Sequence, residues 1–296
     1  MRERHPNQRA SASLPQELRR TTVPGGARSW VARVTGAPVA RVERLPGASS
    51  TAVHRLHLAD GRSAVLRRYV WPGFLEDEPV APRREVDALR FARDRGLPAP
   101  EVLAADVDGG EVGDGVPALL MTLLPGRATA VPDLERLAEV AAAVHDVDPA
   151  GFGHEWFRWY QGRGSVRPAW TARPALWESA SDVWLERTAP DPATFVHRDF
   201  HPGNVLWSRG RATGIVDWAN ACRGPWGVDV AHCRANLIDL DGVGAADRFL
   251  AAYEALTGRS FDPYWEIASV MEHDPQDWAP ERDEPRLERA LAALGR

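Results

Sequence analysis

Alternating hydrophobic and polar residues dominate the first part of the chain and predict β-strands. Four segments have this strand-like character, namely residues 39–45, 51–58, 63–70 and 117–123. Residues 45–50 and 59–61 contain Pro, Gly, Ser and Asp, which favour the turns needed between the first three strands. Helical spacing predicts two helices in the same part, at residues 27–34 and 83–95, and Gly96 with Pro98 ends the second one.

The pattern changes after Pro125 and Gly126. Residues 133–147 have the spacing of an amphipathic helix, and most of the later segments are also helical in pattern. Strands followed by helices predict an α+β protein of two lobes. We expect a mobile tail at residues 1–24, a nucleotide-binding N-lobe at 25–123 and a helical C-lobe at 124–296. The hinge between the lobes is predicted at residues 121–126.

Composition excludes several classes of protein. The formal net charge of −5 argues against general nucleic-acid binding, which needs a basic surface. No stretch has the apolar length of a membrane span, and the first twenty residues lack the apolar segment of a secretory signal. These features predict a cytoplasmic protein without a membrane partner. Cys222 and Cys233 cannot form a disulfide framework, and we interpret them as packed free thiols.

The chain contains no lysine. Any contact with a phosphate group must therefore be made by an arginine or by backbone amides.

The densest set of reactive side chains lies in residues 197–204, which read His-Arg-Asp-Phe-His-Pro-Gly-Asn. Two short apolar runs follow and flank residues 209–212, a four-residue hairpin loop that pairs Ser208 with Thr213. The same register places Asn204 opposite Asp217, where two oxygen ligands could hold Mg²⁺ beside Asp199. The competing interpretation is a polar loop closed by Asx turns, with Asp217 as a helix cap.

This arrangement is typical of phosphoryl transfer, in which Mg²⁺ bridges the phosphates and an aspartate accepts the proton of the attacking hydroxyl. The string also resembles the kinase catalytic loop, which has an Asn five residues after its Asp. Together with Ile215-Val216-Asp217-Trp218, it resembles the aminoglycoside phosphotransferase and choline-kinase-like family, over roughly residues 39 to 237. That family has the protein-kinase-like two-lobe fold, with a small antiparallel-sheet N-lobe and a mostly helical C-lobe.

The resemblance implies a role for each of these residues. Asp199 would be the catalytic base, and Asn204 and Asp217 would hold Mg²⁺. His197 and Arg198 would brace the loop. Asp229 would anchor it from the following helix, a role that is compatible with capping that helix.

The nucleotide site departs from the usual kinase pattern. Residues 45–53 have the length of a phosphate loop, in which Ser49 and Ser50 could offer amides and hydroxyls to ATP, although an ordinary turn explains them equally well. The strand ending at Arg67 occupies the place of the kinase strand that carries the phosphate-binding lysine. A three-residue loop at 59–61 places Arg67 opposite Val53, whereas a two-residue turn places Arg68 there. We favour Arg67.

Two further contacts to the nucleotide are expected. Glu85 lies on the helix face shared with Ala88, Leu89 and Ala92, and is the candidate partner of the phosphate-binding arginine. A solvated surface glutamate is the alternative. The backbone at Thr122 and Leu124 would meet the edge of the adenine.

The acceptor is predicted to be a hydroxyl of a small molecule. Too little chain follows Asp217 to form the platform on which protein kinases bind a peptide, so no protein substrate is expected. An aminoglycoside-type antibiotic is one candidate, because the last part of the chain is acidic. That surface could equally be a solvated exterior. A metabolic kinase for choline, homoserine or a sugar is the alternative, and a non-catalytic nucleotide-binding module is disfavoured because Asp199, Asn204 and Asp217 are all present.

One aromatic cluster could stack on such an acceptor, although packing in the core is the commoner role of such residues. Its members are Trp156, Phe157, Trp159, Tyr160, Trp170, Trp177 and Trp184.

Overall fold

A five-stranded antiparallel sheet forms the first part of the chain in the computed structural model. The structure describes residues 22–48, 50–129, 132–159, 164, 166–187 and 191–296. The strands are β1 (Val39–Arg44), β2 (Ala52–Leu58), β3 (Ser63–Arg68), β4 (Val102–Asp106) and β5 (Ala118–Thr122), in the spatial order β1-β2-β3-β5-β4. Four of these strands match predicted ones, whereas β4 was not predicted. Most of the expected tail, residues 1–21, lies outside the described residues.

Three helices accompany the sheet. They are α1 (Gly25–Thr35), α2 (Pro72–Asp77) and α3 (Ala81–Asp94). The predicted helix at 83–95 is therefore found as α3, and the chain leaves it through Gly96 in the left-handed conformation, with φ of 79°.

The second part of the chain is mostly helical, as predicted. Its helices are α4 (Leu134–His145), α5 (Pro174–Glu186), α6 (Gly227–Asp241), α7 (Val243–Thr257), α8 (Tyr264–Met271) and α9 (Pro280–Ala293). The side chain of Asp133 caps α4 by accepting a hydrogen bond from the backbone N–H of Arg136 at 3.1 Å. None of the helices among the described residues is long and apolar enough to cross a bilayer.

Two small antiparallel ribbons lie between these helices. One pairs β6 (Ala193–Val196) with β9 (Cys222–Pro225), and the other pairs β7 (Val205–Ser208) with β8 (Arg211–Ile215). Only the second ribbon was predicted. A 3₁₀ turn, Pro202–Asn204, leads into β7.

A shared hydrophobic core joins the sheet to the ribbons. Val86 and Leu89 of α3 belong to the same buried cluster as Met121 of β5, Phe195 of β6 and Trp218. Because the inner face of α3 is buried against both parts, it holds the sheet at a defined distance from the loops that carry the candidate site. Cys222 and Cys233 are both buried free thiols, as expected.

Candidate active site

A deep cleft lies between the sheet and the helical part and has a volume of about 1250 Å³. Eight of the predicted site residues line it, namely Arg67, Glu85, Thr122, Leu124, Arg198, Asp199, Asn204 and Asp217. Gly47 and Ala48 line it from the loop before β2, whereas Ser50 does not, and Ser49 lies outside the described residues. The chain therefore brings most of the predicted residues to one concave surface.

Arg67 reaches the cleft because of the register of the β2–β3 hairpin. Val53 pairs with Arg67, and the ladder keeps this register without a shift as far as the pair His57 and Ser63. This register confirms the three-residue loop. Within that loop Gly61 has φ of 88°, a conformation that glycine adopts without strain. Successive residues of a strand point to opposite faces, so Arg68 must point away from the cleft. It pairs instead with Asp114 at 2.6 Å.

The Arg67 guanidinium lies between two carboxylates. Its Nη1 is 3.0 Å from Glu85 Oε1, which is the pair predicted from the helix face, and 2.6 Å from Asp217 Oδ1, a contact that was not predicted. Burial lowers the pKa of Arg67, but the charges of Asp217 and Glu85 outweigh it and hold that pKa above its ordinary value. Arg67 is therefore a fixed positive charge in the floor of the cleft.

Glu85 is buried and receives a second hydrogen bond, donated by the hydroxyl of Tyr69. Burial raises the pKa of Glu85 while Arg67 lowers it. The solvated alternative for Glu85 is wrong, because this residue is only 1% exposed and its carboxylate contacts Arg67 and Tyr69.

The loop before the Pro202–Asn204 turn is held by Asp229 in the first turn of α6. Its carboxylate accepts hydrogen bonds from the backbone N–H groups of His197 at 2.8 Å and Arg198 at 2.5 Å. A third hydrogen bond comes from His145 Nε2 at 3.1 Å. The backbone at Arg198 has φ of 63°, which is unfavourable for a residue with a side chain, and these bonds hold it there.

His197 fills the space beneath the loop. Its Nε2 donates to the carbonyl oxygen of Val216 at 2.9 Å, and its Nδ1 accepts from the backbone N–H of Asp199 at 3.3 Å. Since a carbonyl only accepts and an amide N–H only donates, both contacts require the neutral ring with its proton on Nε2. The ring thus ties the Asp199 loop to the segment that precedes Asp217.

Asp199 lines the cleft, and both of its carboxylate oxygens are engaged. Asn204 Nδ2 donates to Oδ2 at 3.2 Å and to the Asp199 carbonyl at 2.9 Å, while His232 Nε2 lies 3.0 Å from Oδ1. Burial raises the pKa of Asp199, but the hydrogen bond and charge of His232, with smaller contributions from His201 and His197, lower it to about 2. The carboxylate is therefore ionised and able to accept a proton.

The predicted register of the β7–β8 hairpin is wrong. Ser208 pairs with Arg211 rather than with Thr213, because Arg209 and Gly210 have φ of 51° and 73° and form a two-residue turn of the primed type. A bulge between Leu206 and Trp207 then shifts the ladder once more. As a result Asn204 lies opposite Val216, whose N–H donates to the Asn204 carbonyl at 2.9 Å.

Asp217 nevertheless faces the same cleft as Asn204. It follows Val216 directly, and its backbone has φ of 68°, so the chain turns at this residue instead of continuing the strand. The alternative that Asp217 caps a helix is also wrong, because residues 218–221 are not helical and α6 begins at Gly227. The two candidate oxygen ligands thus both line the cleft, and Asp217 does so through a turn rather than through strand pairing.

The predicted hinge connects β5 to the β7–β8 ribbon. The backbone groups of Arg127 and Trp207 exchange two hydrogen bonds, of 3.0 and 2.8 Å. Gly126 has φ of 104°, and a Cβ there would lie 2.5 Å from Thr213 Oγ1, so only glycine fits. Thr122 and Leu124 line the cleft just before this point, at the end where Met121, Leu206 and Val216 give it an apolar lining.

The aromatic cluster is divided between core and cleft. Trp177 and Trp184 are buried in the helical core, whereas Trp159 lines the cleft, and Tyr160 lies outside the described residues. Trp159 and Phe157 stack on the Arg198 guanidinium, whose carbon is 4.1 and 4.6 Å from the two ring centroids. The prediction of a core role therefore holds for Trp177 and Trp184, while Trp156 and Trp159 are half-buried against the same core and Trp170 is 43% exposed.

Few of the acidic residues near the end of the chain face the cleft. Glu266 is buried and paired with Arg234 and Arg286, at 2.5 and 3.0 Å. Three line the cleft, namely Asp239, Glu272 and Asp277, as do three arginines, Arg198, Arg282 and Arg286. The part of the cleft lined by these six residues, its far end, is therefore mixed in charge rather than strongly acidic.

His232 and Tyr69 were missed by the sequence analysis. Tyr69 comes two residues after Arg67 on the same side of the chain, so the strand period could have indicated it. For His232 the signal was its position three residues after Asp229 on a predicted helix, which puts both side chains on one face.

A family model for the phosphotransferase enzyme family (APH) matches residues 41–267, well over half of the chain. The chain belongs to the phosphotransferase enzyme family. The match confirms the resemblance drawn from the catalytic-loop motif and covers both the sheet and the loops of the cleft.

Curated relatives of this chain include kinases that are named for different substrates. A homoserine kinase from Sinorhizobium fredii is 28% identical over 160 residues, 49% of this chain and 49% of the relative. An N-acetylmuramate/N-acetylglucosamine kinase from Pseudomonas aeruginosa is 30% identical over 189 residues, 56% of each chain. The chain thus spans about half the length of the curated relatives it matches.

Solved structures of phosphotransferases share the fold. A thermostable mutant of aminoglycoside phosphotransferase APH(4)-Ia, in ternary complex with AMP-PNP and hygromycin B, has a TM-score of 0.60 and 19% identity, covering 92% of this chain and 98% of its own. A macrolide 2'-phosphotransferase from Brachybacterium faecium has a TM-score of 0.57 and 19% identity, covering 90% and 91%. The α+β, protein-kinase-like fold class is therefore confirmed.

Proposed function

We propose that this chain is an ATP- and Mg²⁺-dependent phosphotransferase that moves the γ-phosphoryl group to a hydroxyl of a small molecule. The observation that carries the proposal is the meeting of two sets of residues in one cleft. Arg67, held by Glu85, comes from the sheet, and Asp199, Asn204 and Asp217 come from the loops. This is the set of parts that phosphoryl transfer requires.

Arg67 is the proposed partner of the ATP phosphates. It carries a permanent charge, and the guanidinium fork suits phosphate oxygens. Asp217 contacts its Nη1, so the phosphate oxygens would share this guanidinium with Asp217. The apolar lining near Thr122 and Leu124 suits an adenine ring, whose edge would meet the backbone there.

Asn204 and Asp217 fit a Mg²⁺ site by their chemistry, since both offer the oxygen ligands that this ion prefers. When bound, the ion would neutralise charge on the phosphate oxygens. Asp199 would accept the proton of the acceptor hydroxyl, because its carboxylate is ionised and lines the cleft. His197, Arg198 and Asp229 would hold the loop in position.

The acceptor is proposed to be small, and two candidates are kept. An aminoglycoside-type antibiotic agrees with hygromycin B in the structural relative. The mixed charge at the far end of the cleft favours instead a metabolic acceptor with few charges, such as homoserine or a sugar, since a polycation needs an excess of carboxylates. A small-molecule kinase of this kind would act in the cytoplasm, where ATP is available.

The test is an acceptor screen with the purified full chain, ATP and Mg²⁺. The panel contains homoserine, N-acetylglucosamine, N-acetylmuramate, choline, hygromycin B and a macrolide, and the phosphorylated product is identified by mass spectrometry. We expect transfer to one class of acceptor that disappears without Mg²⁺. A folded chain that shows neither transfer nor Mg²⁺-dependent ATP binding would overturn the proposal.

A further inference from the structure

The carboxylate of Asp199 is held at both of its oxygen atoms. Oδ2 accepts a hydrogen bond from Asn204 Nδ2 at 3.2 Å, and Oδ1 lies 3.0 Å from His232 Nε2. An ionised carboxylate can only accept hydrogen bonds, so the imidazole must carry its proton on Nε2 and donate it. The second contact comes from a helix distant in sequence from the loop.

One helix therefore controls both the backbone and the side chain of this loop. Asp229 of α6 accepts hydrogen bonds from the N–H groups of His197 and Arg198, as described above. His232 lies three residues further along α6, on the same face, and contacts Asp199. Any movement of the loop relative to α6 would break the backbone and the side-chain contacts together.

The surroundings of His232 are compatible with this donor role. Asn236 Nδ2 lies 3.2 Å from His232 Nε2, but it also donates to the His232 carbonyl at 3.0 Å and so has an alternative acceptor. His201 lies beside His232, with ring centroids 5.8 Å apart, and its Nδ1 accepts from the Gly203 N–H at 3.1 Å. Asp199 is therefore the carboxylate that the His232 N–H meets.

We propose that His232 is a positioning residue for phosphoryl transfer, an inference that depends on the proposed function. Its hydrogen bond to Oδ1 fixes the rotamer of Asp199, so that Oδ2 faces the acceptor hydroxyl. In the reaction the acceptor oxygen forms a bond to the γ-phosphorus, and the bond from that phosphorus to the β,γ-bridging oxygen breaks. The hydroxyl proton passes to Asp199, and His232 keeps its own proton throughout.

Three variants test the role of the imidazole. His232→Leu removes the donor, and His232→Gln keeps an N–H near the position of Nε2. His154→Leu is the matched control, because His154 also contacts an aspartate, Asp87, at 3.0 Å and is similarly exposed, but it does not line the cleft.

We expect His232→Leu to lower kcat about 10-fold while KM for ATP changes less than about twofold. His232→Gln should recover most of the lost kcat, and the control should match the wild type. Unchanged kcat in His232→Leu would overturn the proposal. An equal loss in His232→Gln, or a loss confined to KM, would also overturn it.

The contact itself can be measured without any acceptor. In protein with ¹⁵N-labelled histidine, the His232 Nε2–H proton should give a hydrogen-bonded NMR signal that shifts or disappears in Asp199→Ala. If this happens but no acceptor is ever phosphorylated, the contact is real and the proposed function is what fails. If the signal ignores Asp199, the positioning role is wrong whatever the activity.

Discussion

The two walls of the cleft hold their charged groups in different ways. On the sheet wall, formed by Arg67 and Glu85, the side chains are 7% and 2% exposed and the charges are paired. On the loop wall, formed by Asp199, Asn204 and His232, the Asp199 and His232 side chains are 18% and 29% exposed. The charged groups of the sheet wall are therefore almost fully buried, whereas those of the loop wall are more exposed.

The difference lies in what positions each wall. The regular backbone ladder between β2 and β3 fixes the position of Arg67, and no side-chain contact is needed to form that ladder. The loop wall lies outside any ladder, and Asp229, His197 and His232 hold it through hydrogen bonds. We therefore expect changes on the loop wall to affect turnover, and changes on the sheet wall to affect ATP binding and stability.

The largest effect is expected at Asp199. Asp199→Asn keeps the size of the side chain but removes the base, which typically costs roughly 10²–10⁴ in kcat. ATP binding, measured by calorimetry, should stay close to that of the wild type because the sheet wall is untouched. Turnover near the wild-type value with the correct acceptor would remove Asp199 from the mechanism.

Asp217 connects the two walls, so its loss should affect Mg²⁺-dependent ATP binding. We expect Asp217→Ala to abolish the gain in ATP affinity that Mg²⁺ gives, measured by calorimetric titration with and without the ion. Asp114→Ala is the control, since Asp114 makes the same 2.6 Å contact with Arg68 but lies outside the cleft. If Mg²⁺ dependence is unchanged in Asp217→Ala, the metal ligand has been misplaced.

The sheet wall is tested by the neighbouring arginines. Arg67→Ala should raise KM for ATP by about 10-fold or more and lower kcat, since charge-assisted hydrogen bonds contribute about 1.5–3 kcal/mol. Arg68→Ala should lower thermal stability and leave KM for ATP unchanged, because Arg68 pairs with Asp114 outside the cleft.

The pairing of Arg67 with Glu85 is tested by a double variant. Arg67→Ala leaves Glu85 buried without its counter-charge, which destabilises the fold. The double variant without both side chains should therefore be less impaired than the two single losses added together. Simple additivity in both melting temperature and kcat/KM would show that the two side chains act independently.

A pH-dependent effect on stability is expected at Glu272, which lies 4.0 Å from Arg198 on the loop side. Burial raises the pKa of Glu272 from 4.5 to about 7, although Arg198 lowers it. The folded protein therefore binds the extra proton between these pH values, and stability is lost as pH rises through about 7. Glu272→Gln removes this loss.

Urea unfolding at two pH values measures the effect. The Glu272 side chain is 11% exposed, so water stabilises part of its charged form. We therefore expect Glu272→Gln to be more stable than the wild type by about 2 kcal/mol at pH 8. The difference should nearly vanish at pH 4.5. Glu139→Gln, on the exposed side of α4, is the control for loss of a surface carboxylate. An equal gain at both pH values would contradict the assignment.

The two hairpins show how far the sequence could be interpreted. In β2–β3, the loop of Ala59, Asp60 and Gly61 admitted two registers. The resemblance to the kinase strand that carries the phosphate-binding lysine favoured the register with Arg67 opposite Val53, and this register is the observed one. In β7–β8, the turn contained Arg209, and nothing local indicates that an arginine takes a left-handed backbone. The predicted pairing of Asn204 with Asp217 failed for that reason, although both side chains line the cleft.

By itself, the sequence determined a strand-rich first part, a helix-rich second part, the family and eight of the residues that line the cleft. Local patterning and a contiguous motif carry this information, because each depends on neighbours within a few residues. Only the tertiary structure decided that Arg67 meets Asp217 and that His232 reaches Asp199. These contacts join residues as far as 150 positions apart, and their geometry depends on how helices and sheet pack around a common core.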